Sequence, residues 1–286
     1  MIRFFNILIV LLYIINLSSC SKKNSIQQST KIEQKSLTLQ DSIQTSIHKA
    51  EKYLESVDYT NFQNNIIYMI ADLLAIKFDR KLNLPSLNHL ISLNPKYKEC
   101  HWMMYGNYFD NRTNFPTEVT DSIKNILLSQ IEDMDIRSFW TMYCPYFSLN
   151  EQILPIINHS IELGEYEATH AALQLESIII NHYCNFDTTV INSMKLNAIN
   201  SIYHDTQLYF TNKEVANHDL LIEQFAILAY TKQYQLLNKD FIRFVISLQN
   251  EDGNWMYRTI DSKEHISILS YWFLLEAYSN LREFRN

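Results

Sequence analysis

Three polar side chains, His170, Glu223 and His265, each sit on a strongly apolar stretch. Each falls in a stretch with helical spacing of aliphatic and aromatic residues, where a polar group is costly unless it meets a partner. Imidazoles and carboxylates together can hold a divalent ion or orient a polar ligand. Two readings stand side by side. The three converge on one ligand site, or each is satisfied separately by neighbouring backbone or water.

A second group, His182-Tyr183-Cys184-Asn185-Phe186-Asp187, offers three ligand types within six residues. Positions 182 and 184 point to different sides of a helix and could meet only in a loop, so the plainer expectation is a helix C-terminus with a buried thiol. Beyond Cys20 the cysteines are Cys100, Cys144 and Cys184, an odd number that cannot all pair internally. Either a thiol stays free and buried, or one pair forms and one cysteine is left over. No Cys-x-x-Cys spacing occurs, which excludes a redox motif and a zinc knuckle.

The elements that must position these groups are helices. Only 3 Gly and 5 Pro occur in 286 residues, too little turn material for a sandwich or barrel. Ile153 to Leu163 carries Pro155 in its first turn and Gly164 just past its end. Glu165 to Asn181 and Asp219 to Tyr230 are apolar nearly all round, which places them inside an assembly, the latter with Asn217 or Asp219 as its cap. Asn238 caps Lys239 to Gln249, with a single stripe of Phe241, Ile242, Val245 and Leu248. Asp261 opens the last helix, with Glu264 at the capping-box position. Ile66 to Phe78, Ser122 to Glu132 and Ser193 to Tyr203 fit amphipathic helices. Ten to twelve helices result, alternating between strongly and half-buried, as two concentric layers require. The aromatic load, 13% of residues, serves core packing or lines a hydrophobic cavity. A tetratricopeptide array is disfavoured, because no repeat of ~34 residues is visible.

The end of Phe241 to Trp255, Gln249-Asn250-Glu251-Asp252-Gly253-Asn254-Trp255, resembles the Q-x-x-x-G-x-W repeat of the terpenoid cyclase and protein prenyltransferase toroid. In such a repeat Gln249 would satisfy carbonyls at a helix end, Asp252 and Gly253 would make the turn, and Trp255 would fold back over the glutamine amide. Tyr166-Glu167-Ala168-Thr169-His170 is similar to a Tyr-x-x-Thr-His element of uncharacterised bacterial toroid-like proteins. The resemblance implies an (α/α) toroid, complete or partial. It does not bring an activity with it. Asp133-Met134-Asp135-Ile136 lacks the final aspartate of the Asp-x-Asp-Asp cyclase acid, Cys184 has His182 and not Asp two residues before it as a prenyltransferase zinc site would need, and no Cys-x-Glu-Gln thioester sequence is present.

At the start of the chain, Arg3 precedes the apolar run Ile7 to Ile15, and Leu17-Ser18-Ser19 leads into Cys20. The run is shorter than the ~20 residues a spanning helix needs. Leu17-Ser18-Ser19-Cys20 resembles the lipobox of bacterial lipoproteins, which implies removal of residues 1–19 and acylation of Cys20. An ordinary signal peptide ending in cysteine is the alternative. Residues 20–40 are rich in Ser, Gln and Lys without apolar period, the composition of a flexible tether. Surface-exported lipoproteins usually carry acidic residues after the cysteine; Ser21-Lys22-Lys23-Asn24 points instead to the periplasmic face of the outer membrane.

The expected organisation is a signal peptide (1–19), a lipidated tether (20–40) and an all-α domain (41–286). With 24 Lys+Arg against 31 Asp+Glu and no basic run, nucleic-acid binding is excluded. The expected partner is the membrane, through the lipid on Cys20, with a small molecule or protein bound in the toroid cavity; no cofactor is indicated. An enzyme acting on glycans from an α/α barrel is the alternative.

Overall fold

Thr38 opens the first described helix by a reciprocal bond pair. Its hydroxyl accepts the Asp41 N–H at 3.2 Å while the Asp41 carboxylate accepts the Thr38 N–H at 3.1 Å, a capping box that satisfies two otherwise orphaned donors. The helix it starts, α1 (Leu39–Ser56), buries Ile43, Ile47, Ala50 and Leu54, spaced to lie on one face. Leu39 and Gln40 therefore belong to the domain and not to the tether assigned to 20–40. Asp at the third helical position, instead of the usual Glu or Gln, hid the signal. In this computed structural model the described residues are 38–60, 66–94, 132–134, 137–138, 141, 144, 152–212, 217–256 and 263–286. All belong to one contact unit, Leu37–Asn286. Cys20, Cys100, Asp261 and the helix expected from Ser122, except Glu132, lie outside them.

The elements that follow are α2 (Ile66–Phe78), α3 (Leu87–Leu93), α4 (Ile153–Leu163), α5 (Glu165–Ile180), α6 (Thr188–Asn212), α7 (His218–Tyr230), α8 (Lys239–Ser247) and α9 (Lys263–Asn280). Among the described residues there is no strand, and the fold is all-α. Gly164, at φ 75°, joins α4 to α5 with no loop between them.

Two kinds of helix alternate. Every residue of α7 is buried, as is every residue of α9 from Ile266 to Ala277, so neither has a wet face. By contrast α8 buries only the stripe of Phe241, Ile242 and Val245. The buried helices stand side by side, α5 against α7 and α7 against α9, while α6 packs on α5 and α7 from one side. At the other end α1 and α2 both pack on α9, so the first helices of the domain meet the last, and α8 is held between α9 and α1. Phe225 stacks on Phe241 at 4.7 Å and both are buried, so these aromatics pack the core.

The Gln249–Trp255 turn ties three helices together. Gln249 Nε2 donates to Ser46 O of α1 at 3.0 Å and to Gly253 O at 2.9 Å, while Ser46 Oγ donates to its Oε1 at 2.6 Å. Trp255 is fully buried; its Nε1 donates to Val245 O of α8 at 2.7 Å, and its backbone N–H to Ser267 Oγ of α9 at 3.0 Å. The expected roles are thus partly exchanged. The tryptophan satisfies the carbonyl near the end of α8, and the glutamine reaches across to α1. Gly253 sits at φ 94°, and a Cβ there would come within 2.2 Å of Lys49 O. Asp252 is largely exposed and lies 3.8 Å from Lys263.

Cys184 is not a free buried thiol. It lies in the short 3₁₀ turn His182–Asn185 after α5 and is disulfide-bonded to Cys144, with Cα atoms 5.7 Å apart. His182 is exposed, and among the described residues this turn joins no group of metal-ligand side chains.

Candidate functional site

The first turns of α5, α7 and α9 meet. Asn217, in extended backbone, caps α7 by accepting the Leu220 N–H at 3.1 Å. Asp219 is thereby released from capping, and it faces the neighbouring helices together with Glu223, one turn further on. Both carboxylates are nearly buried, with side chains 9% and 7% exposed. His170 of α5 and His265 of α9 are more open, at 20% and 26%, so the imidazoles form the side of the cluster that reaches solvent.

Each carboxylate has donors from the adjacent helices. Asp219 accepts the Tyr166 hydroxyl at 2.8 Å and lies 3.0 Å from His265 Nδ1. Glu223 accepts the Thr169 hydroxyl and stands 3.6 Å from His170 Nδ1. The same His170 nitrogen is 2.9 Å from the Tyr166 carbonyl, which can only accept, so Nδ1 carries the hydrogen. Burial works against charge on His265, but the hydrogen bond and negative charge of Asp219 outweigh it and hold the imidazole above its usual range. Burial and the Asp219 charge together push the Tyr166 phenol up, so it remains a donor.

The structure brings His170, Glu223 and His265 to one place, at equivalent ends of three parallel helices. Direction is fixed for α7 and α9 by two contacts in the same order along both helices: Asp219 with His265 near their starts, and Tyr230 with Trp272 further along, ring centroids 5.2 Å apart. Ligand-type atoms of Asp219, Glu223 and His265 all lie within 4.8 Å of one another.

Sequence reasoning missed Asp219, Tyr166 and Thr169. Asp219 looked like a cap, although its spacing of four from Glu223 placed both on one helix face. Tyr166 and Thr169 are the other two named positions of the Tyr-x-x-Thr-His element, and all three of its side chains join the cluster. Gln249, Asp252, Gly253 and Trp255 serve the α8–α9 turn. The chain matches no family model, no curated protein and no solved structure.

Proposed function

We propose that this chain is a lipoprotein of the bacterial cell envelope, anchored through Cys20 to the periplasmic face of the outer membrane. Its helical domain is an (α/α) toroid of helix pairs that binds a ligand where the N-terminal ends of α5, α7 and α9 meet. The observation that carries the binding half is the meeting of two imidazoles and two carboxylates from three separate helices. Two like charges on successive turns of one buried helix cost stability, and proteins keep such arrangements where function needs them. The alternation of fully buried and one-striped helices, with α1 and α2 packed on α9, supports the ring. The Cys144–Cys184 disulfide supports export, because such bonds persist in oxidising compartments. No helix among the described residues is long and apolar enough to cross a membrane; the proposed attachment is the acylated cysteine.

Anchoring is tested by Cys20→Ser. Wild type should incorporate labelled palmitate and the variant should not, remaining unprocessed; equal labelling of both would overturn the assignment. The binding half is tested by Glu223→Gln, which keeps an acceptor for Thr169 and removes one of the two close charges. Its melting at pH 8 should match or exceed that of wild type, within about 1 kcal/mol. A clear loss would mean that the cluster is a structural polar cap.

A specific observation favours a second reading, an enzyme on the same scaffold. Asp219 beside His265 Nδ1 fixes the ring so that Nε2 is the nitrogen that would exchange a proton. Hydrolysis of an envelope glycan by wild type, abolished in a folded His265→Gln variant, would select that reading.

A further inference from the structure

We infer that the ligand site at the joined ends of α5, α7 and α9 takes a divalent transition-metal ion of the zinc class, with Asp219, Glu223 and His265 as its ligands. This rests on the ligand-binding reading above and narrows it.

The donor types come first. One imidazole with two carboxylates suits borderline divalent ions, for which three protein ligands leave an open coordination position. The geometry follows from helix periodicity. Asp219 and Glu223 are four apart on α7, so successive turns present them on one face, and α9 supplies His265 from the side. Their ligand atoms lie within 4.8 Å of one another, while a tetrahedral ion with bonds near 2.1 Å needs separations of about 3.4 Å. Binding the ion releases the proton that His265 Nδ1 shares with Asp219, and side-chain adjustment on the order of 1 Å then closes that difference.

The groups behind the ligands are independent support. Metal-binding carboxylates are themselves hydrogen-bonded, and such outer partners hold the ligand atoms in place. Here the Tyr166 hydroxyl donates to Asp219 Oδ2 at 2.8 Å, and the Thr169 hydroxyl donates to Glu223. Both come from α5, which provides no carboxylate of its own to the trio. His170, also from α5, stands 3.6 Å from Glu223.

The test is zinc titration by calorimetry of the full chain in detergent, after removal of bound metal with a chelator. Wild type should bind one zinc per chain. His265→Gln should weaken binding by about a hundredfold or more, and Tyr166→Phe by roughly tenfold to a hundredfold as an outer partner. Thermal melts accompany each variant. If His265→Gln does not fold, Tyr166→Phe decides, since a purely structural tyrosine would leave zinc affinity unchanged. Less than one zinc per chain, or equal affinity in wild type and a folded variant, would overturn the metal. A non-covalent organic species still bound to wild type in native mass spectra would then preserve the ligand reading; absence of both would overturn that reading too.

Discussion

Trp255→Ala is expected to destabilise the helical domain by about 3–5 kcal/mol, read as a drop in thermal melting. The side chain is fully buried, so truncation leaves a cavity, and it also removes the indole N–H that satisfies Val245 O at 2.7 Å. The loss spreads because the same turn ties α8 to α1 through Gln249 and to α9 through Ser267. Gly253→Val belongs to the same test. It needs positive φ from a β-branched residue and drives a Cβ into Lys49 O. If Trp255→Ala melts like wild type, the turn does not hold these helices together.

Lys77→Met should be comparably severe, also about 3–5 kcal/mol near neutral pH, because it leaves a buried carboxylate without its cation. Glu276 of α9 has no exposed side-chain surface, and Lys77 of α2 pairs with it directly. Tyr234 OH at 3.2 Å and Trp272 Nε1 at 3.3 Å donate to it as well, but neither carries charge. Burial already holds the Glu276 carboxyl above the usual carboxylate range despite the opposing pull of Lys77. Without the lysine it rises further. A carboxyl raised in the folded state binds its proton more tightly there than in the unfolded chain, so its contribution to stability is lost as pH rises through the folded value. The Lys77→Met penalty should therefore shrink as pH falls towards the ordinary carboxyl range. A second change, Glu276→Gln, should recover part of the loss at neutral pH. A penalty independent of pH would mean that the ion pair is not its cause.

How far residues alone led is clearest in α7 and α9. Their apolar positions exceed one stripe, which demands burial on several sides, and both are buried throughout the spans given above. The same reasoning singled out His170, Glu223 and His265 as polar groups on apolar helices, and the three meet. It failed where two adjacent residues could perform one local task. Asn217 and Asp219 are both good caps, and only the backbone at Asn217, φ −133° and ψ 92°, decides between them. The partner roles of Tyr166 and Thr169 depend on the register of α5 against α7, which no local pattern encodes. The Cys144–Cys184 pair was likewise open, since three cysteines allow several pairings and sequence carries no distance.

The most direct measurement of the central claim is native mass spectrometry of the full-length protein isolated from its own membranes, with no metal or ligand added. Wild type should carry a non-covalent mass above that of its lipidated chain, and an Asp219→Asn/His265→Gln variant that melts as a folded protein should lack it. Identical spectra for the two, each showing the lipidated chain alone, would contradict a binding site at the joined ends of α5, α7 and α9.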